Sequence, residues 1–344
     1  MNAILLLLVG VAVLSLAHEL GHAAVAFVLQ LHITDLGLGL GPALLRFEWR
    51  GIRWMIGPIP LGGFVRVAEL APDATNVETA ACFSGKSLAK RIAVIIAGPA
   101  ANYLLAALIA LALAIGWGIE TGHAKGLRVM SVDESTQKTG LTVGDLVSQI
   151  NGVAIDDLRS LSRALKDSGS DGLAFVSLYR MGSLLQLHMP RQRARNGAWG
   201  LGAAYILEPE LHRLGPLDGL VHAWTTPFLE ARTLLVHAAS MLRPRQATGA
   251  RPLGIVGLAD RVHTMKGWSL RRVLMLGISL SVAMGLFNLL PFPGLDGGRL
   301  CIEAVQAAQR RRLPTGTLIA LQVTGGLILL AAWLLLTAFE IYRW

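Results

Sequence analysis

The chain has 344 residues, 53% of them hydrophobic and only 15% charged, against about a quarter charged in a soluble domain. The deficit sits in a few long apolar blocks, so the composition points to an integral membrane protein rather than a soluble one. The net charge of +9 comes with no basic stripe interleaved with aromatics, which excludes nucleic acid as a partner and leaves lipid headgroups and topology to explain the arginines. Cys82 and Cys301 lie far apart and in no CxxC pair, so neither a disulfide framework nor a cysteine zinc site follows.

In chain order, residues 3–29 form the first apolar block, long enough at about 1.5 Å per residue to cross a hydrocarbon core. It lacks a basic n-region and runs on into AHELGHAAVAF, so it reads as a retained transmembrane helix rather than a signal peptide. Residues 33–67 are rich in Gly, Pro, aromatic and β-branched residues, which predicts short β-hairpins at the membrane interface. Residues 68–91 form a polar loop. Residues 92–118 make a second span, interrupted by Gly98, Pro99 and Asn102; small residues permit close helix contact, and an Asn in lipid needs an internal partner. Residues 119–206 read as one small α/β module, with strands at RVMSV, LVSQI, FVSLYR and LLQLHM and a helix at DLRSLSRALKDSG. Residues 207–270 contain an amphipathic helix suited to the membrane surface, followed by a Gly/Pro-containing loop. A third span covers 271–293 and a fourth 317–338, within a C-terminal membrane part of 271–344.

Four spans place both termini on one side. Arg46, Arg50, Arg53, Arg66, Lys86, Lys90 and Arg91 between spans one and two, and Arg310, Arg311 and Arg312 between spans three and four, put both loops in the cytoplasm by the positive-inside rule. The 119–270 segment is then extracytoplasmic. Its own arginines oppose this only mildly, because long loops translocate largely regardless of charge.

The chemistry lies in the first span. HELGH sets His18 and His22 at i and i+4, on one face of a helix, where two imidazoles reach one metal. Glu19 stands beside them as a general base for a zinc-activated water, the combination that peptide hydrolysis needs. A five-residue pattern also arises by chance. Inside an apolar span chance weighs little, since ionisable groups there are costly without partners. A catalytic zinc takes three protein ligands, and Asp296 in NLLPFPGLDGGRL is the candidate third, from a stretch where Pro and Gly unwind the helix. The competing reading of Asp296 is a loop aspartate capping the helix that follows. The remaining histidines lie outside the spans and read as surface or interfacial residues.

Several motifs, in order, resemble the site-2 protease family of intramembrane zinc metalloproteases, in its bacterial RseP type. HELGH at 18–22 is similar to its HExxH, GPIPLGGFVRV at 57–67 to its membrane-associated β-hairpin, AGPAAN at 97–102 to its second-helix motif, and NLLPFPGLDGGRL at 288–300 to its NxxPxPxLDGG segment. The resemblance implies one Zn2+ per chain held by His18, His22 and Asp296, with Glu19 as base. It implies a substrate path formed by Asn288, Gly62, Gly63 and Asn102, with the hairpin pairing an unwound substrate as an added strand. TGLTVGDLVSQINGVAI resembles a stretch of bacterial PDZ domains, with Gly144 and Asp145 as structural turn residues, and the chain has room for one such domain where the RseP type has two. The fold expected is a polytopic α-helical membrane protein of about four spans, with a membrane-associated β-hairpin region and one inserted extracytoplasmic PDZ-like domain, in the bacterial inner membrane.

The function expected is hydrolysis of peptide bonds within or near the spans of single-pass membrane proteins, such as an anti-sigma factor or a remnant signal peptide. One rival is a catalytically inactive adaptor that binds extracytoplasmic tails through its PDZ domain. Another is a zinc transporter, disfavoured by the lack of internal repeats.

Overall fold

A computed structural model describes residues 3–67, 88–166, 172–193, 199–241, 270–311 and 313–343. The polar loop expected at 68–91 lies outside the described residues as far as 87, and so does the loop expected after the amphipathic helix, at 242–269. The chain divides into two compact units, one of residues 1–112 with 218–344 and one of residues 113–217.

In the first unit, α1 (Ala3–Val28) is a predominantly apolar helix with no proline to break it. Gln30, at φ 56, ends it. Leu31 N–H donates to Ala26 O and Gln30 N–H to Phe27 O, a Schellman cap in which buried Leu31 packs on Ala26. The reversal turns the chain directly into a sheet of β1 (Ile33–Leu40), β2 (Leu45–Trp49), β3 (Ile52–Ile56) and β4 (Ile59–Val67). The strand order is β2-β3-β1-β4. It is more than the succession of hairpins expected: β2 and β3 form a hairpin, but β1 runs parallel to β3 and antiparallel to β4. Buried Asp35 on β1 locks β3 in place through Arg53, with Nε 2.8 Å from Oδ1 and a terminal nitrogen 3.0 Å from Oδ2. β4 is left at the sheet edge.

α2 (Leu88–Gly116) carries Pro99 in its interior. α5 (Pro216–Met241) turns Ala223 and Ala231 inward and leaves Leu217, Trp224 and Phe228 exposed. Ser279 donates a 2.5 Å hydrogen bond to Glu230 of this helix. α6 (Leu270–Asn288) stops at Asn288, the chain passes through Pro291 and Pro293 without regular structure, and α7 (Asp296–Gln309) begins at the aspartate itself. α8 (Thr315–Arg343) closes the unit. Among the described residues, four helices are long and apolar enough to cross a membrane, over Leu8–Val28, Leu88–Gly116, Leu270–Asn288 and Gly316–Phe339.

The second unit is built on a six-stranded sheet in the order β12-β5-β6-β8-β9, with β7 paired to β6. Its strands are β5 (Ile119–Val132), β6 (Leu146–Ile150), β7 (Val153–Ala154), β8 (Leu173–Arg180), β9 (Ser183–Pro190) and β12 (Ala203–His212). A short α3 (Glu134–Gln137) follows β5, and β10 (Gln192–Arg193) pairs with β11 (Trp199–Gly200). α4 (Leu158–Lys166) contributes Leu161 and Leu165 to a fully closed core with Leu127, Val147, Ile150 and Met189. β12 continues to His212, opposite Ile119, beyond residue 206, because its pairing with β5 carries both strands to the end of the unit.

Candidate metal centre

The helical spacing of His18 and His22 sets both rings on one side of α1, with centroids 4.8 Å apart and Nε2 atoms 3.2 Å apart. His22 is fixed from behind: its Nδ1–H donates to the carbonyl of Val94 on α2 at 2.7 Å. That bond settles its tautomer and leaves a lone pair on Nε2. Asp296 arrives from α7, placing Oδ2 3.0 Å from His18 Nε2 and 3.3 Å from His22 Nε2. Of the two readings of Asp296, the cap does not describe its geometry. It is the first residue of α7, Leu295 occupies the cap position, and no side-chain cap bond forms.

One ligand atom from each of His18, His22 and Asp296 lies within 4.8 Å of the others, and His18 and Asp296 are both less than a tenth exposed. Asp296 Oδ2 is buried and has no hydrogen-bond donor among the described residues. Lone-pair donors converging in a dry site repel one another, and a cation at their centre offsets that repulsion. Two imidazoles and a carboxylate form a set that zinc takes in catalytic sites, with a fourth position open. The residues present therefore fit the metal.

Close helix approach makes the cluster possible. A Cβ on Gly98 of α2 would stand 2.3 Å from His22 Nε2 and 2.8 Å from His18 Nε2, so any side chain at position 98 would occupy the metal site. A Cβ on Gly63 would stand 2.7 Å from Glu19 Cγ, so β4 can lie against the proposed base only with glycine there. A cavity of about 510 Å3 opens over the cluster, lined by His18, Glu19, His22 and Asp296 together with the β4 segment Gly63–Val67. Asn288, Arg299 and Gln322 line it as well. The Arg91 guanidinium of α2 lies 3.2 Å from Glu303 of α7, a buried pair that ties the helix carrying Asp296 to the helix carrying Val94.

The residues singled out from sequence thus separate. His18, His22 and Asp296 converge, and Glu19, Asn288 and Gly63 share their cavity. Gly62, exposed and at φ 75, is not among the lining residues. Asn102 requires a correction. The substrate path was expected to include it, yet it is fully buried, with its amide 3.2 Å from His18 Nδ1 on the far side of the ring from the other ligands. Arg299 and Gln322 went unremarked. Arg299 was findable, since it follows Asp296 by three residues and so shares its helix face; Gln322 was findable as a polar side chain inside an apolar span.

The family model described as "Peptidase family M50" matches residues 6–332. A protein of Clostridium perfringens named "Putative zinc metalloprotease" is 28% identical over 98% of this chain and 98% of its own length. A protein of the same designation from Rhizobium meliloti is 28% identical over 92% of this chain and 91% of its own, and one from Helicobacter pylori is 26% identical over 92% and 93%. Among solved structures, the PDZ domain of an SdrC-like protein from Listeria monocytogenes covers 24% of this chain and 88% of its own at 20% identity, with a TM-score of 0.22, too low to assign the fold of the segment it overlaps.

Proposed function

Because this chain belongs to peptidase family M50, a family of metalloproteases, we propose that it is a multi-pass intramembrane zinc endopeptidase that cuts single-span membrane proteins within or near their apolar segments. The observation that carries this reading is the convergence of His18, His22 and Asp296 beside Glu19, on helices apolar enough to cross a membrane. One zinc per chain would be held by the three ligands and would supply Lewis acidity and a water acidified for attack on a peptide carbonyl. Glu19 takes the proton of the attacking water and hands it to the leaving amine. Asn288 and the β4 edge position the substrate backbone. A helix entering the site must lose its internal hydrogen bonds, and an exposed sheet edge replaces them by strand addition. The Gly63–Val67 edge runs along the cavity wall, where such a strand would lie across the ligands.

The inserted unit is read as a PDZ-like domain on the extracytoplasmic side of a bacterial inner membrane. There it would meet the tail of a substrate before the span enters the cavity.

The test is cleavage of a tagged single-span substrate in reconstituted vesicles, with the products mapped by mass spectrometry. A cut inside the apolar segment, dependent on zinc and lost in Glu19→Gln, is expected. Cleavage that persists in Glu19→Gln, or that falls only in soluble loops, would remove the basis for an intramembrane protease.

A further inference from the structure

Asn102 is fully buried in the interior of α2. Its backbone carbonyl accepts a 2.8 Å hydrogen bond from Ser281 Oγ on α6, and Ser281 is itself wholly buried. The α2 backbone is therefore held to α6 at this residue. The side-chain amide reaches back to α1, with Nδ2 3.2 Å from His18 Nδ1. Oδ1 is buried and has no hydrogen-bond partner among the described residues.

An amide nitrogen facing Nδ1 makes Nδ1 an acceptor and places the ring proton on Nε2, the atom that faces Asp296 and His22. A metal ligand needs the opposite tautomer, with the proton on Nδ1 and the lone pair on Nε2. Amide oxygen and nitrogen exchange places by a half-turn about the last side-chain bond, and the surrounding network decides which is which. The half-turn gives Oδ1 a donor, His18 Nδ1–H, and moves the amide NH2 group to the position that Oδ1 held. It also gives His18 the arrangement that His22 already has with Val94.

We propose that Asn102 is a positioning residue for the metal centre: its Oδ1 accepts the Nδ1 proton of His18, fixing the tautomer and ring plane that present Nε2 to zinc. Each histidine then has its own acceptor on α2, a backbone carbonyl for His22 and a side-chain amide for His18. Asn102 touches neither substrate nor metal. The inference rests on the reading of His18, His22 and Asp296 as zinc ligands.

Zinc affinity of the purified full-length chain, measured by competition with a chromogenic chelator, tests it without reference to activity. Asn102→Leu keeps the number and branching of heavy atoms and removes the acceptor; its zinc affinity is expected to fall about tenfold to a hundredfold. Asn102→Asp restores an acceptor and cannot donate to Nδ1, so its affinity is expected to stay within about threefold of wild type. Wild-type affinity in Asn102→Leu would overturn the proposal, and so would an Asn102→Asp as weak as Asn102→Leu. If Asn102→Leu fails to fold, as judged by its thermal transition, Asn102→Ala takes its place: an alanine variant weaker than the aspartate variant supports the proposal, and equal affinities overturn it. A wild-type chain that binds no zinc would instead refute the metal centre itself, a result distinct from any of these.

Discussion

Asp296 in the first unit and Asp145 in the inserted unit are both buried carboxylates, and their surroundings differ in kind. Asp145 is saturated. It takes the fork of Arg180, at 2.8 Å and 2.7 Å, and the backbone N–H of Thr142 at 2.8 Å. Asp296 directs Oδ2 at two imidazole nitrogens and receives no hydrogen bond there from the described residues. The first arrangement is closed and serves to hold a turn to a strand. The second has the form that a bound cation would complete. Burial of charge alone does not mark a site; a buried donor set whose valences converge on one open point does.

Substitutions that break this contrast rank by size. Glu19→Gln keeps the ligands and removes the proposed proton acceptor. Cleavage of a single-span substrate is expected to fall by on the order of a thousandfold, with zinc content unchanged by elemental analysis. Gly98→Ala inserts a Cβ 2.3 Å from His22 Nε2; the rings must shift, and a displacement of this kind costs about a hundredfold in cleavage, here together with weakened zinc binding in a chelator competition.

Asp145→Asn should leave zinc and chemistry alone and loosen the inserted unit. Breaking a buried ion pair costs about 3–5 kcal/mol. Arg180 remains about a third exposed, so the expected loss is about 2 kcal/mol, read as faster amide exchange in β6 and β8. The same pair sets a pH dependence. Burial pushes the Asp145 carboxyl up, but the Arg180 fork and the Thr142 N–H outweigh it and hold the group below its ordinary value. A carboxyl lowered on folding contributes stability that is present above its unfolded pKa of about 3.9 and is lost as pH falls through the folded value. Protection of the β6 and β8 amides, relative to the intrinsic exchange rate at each pH, should therefore fall below about pH 4, and Asp145→Asn should flatten that dependence. Arg128 and Glu208 make a bidentate pair at 2.7 Å and 3.0 Å across β5 and β12. Both are about one-third exposed, so Arg128→Ala should cost only about 0.5 kcal/mol by the same measurement.

Sequence legibility followed the range of each interaction. His18 and His22 were readable because helical periodicity brings i and i+4 together, whatever surrounds them. Asp296 was readable as a candidate because Pro291, Pro293 and Gly294 announce a break in an apolar span, but its approach to the histidines depends on how α1, α2, α6 and α7 pack. The partner of His22 was not readable, since a backbone carbonyl leaves no trace in residue type. Asn102 was correctly seen to need an internal partner; that the partner is His18, 84 residues away, depends on the α1–α2 register. In the first sheet, aromatic and β-branched residues between Gly and Pro turns indicated strands over 33–67, yet such composition marks strands and not their neighbours, so the parallel pairing of β1 with β3 was hidden. Four strand segments of the inserted unit, lying in β5, β6, β8 and β9, were plainer, because they read as short and alternating between turn residues; β12, which pairs with β5, was not read from sequence.

The claim that a metal centre is assembled from α1 and α7 is tested most directly by X-ray absorption at the zinc edge on the purified full-length chain. The spectrum should show nitrogen and oxygen scatterers at about 2.0–2.2 Å with imidazole outer shells, and Asp296→Ala should lower both coordination and affinity. A shell dominated by sulfur at about 2.3 Å, or zinc bound with full affinity when His18 and His22 are both replaced by alanine, would contradict it.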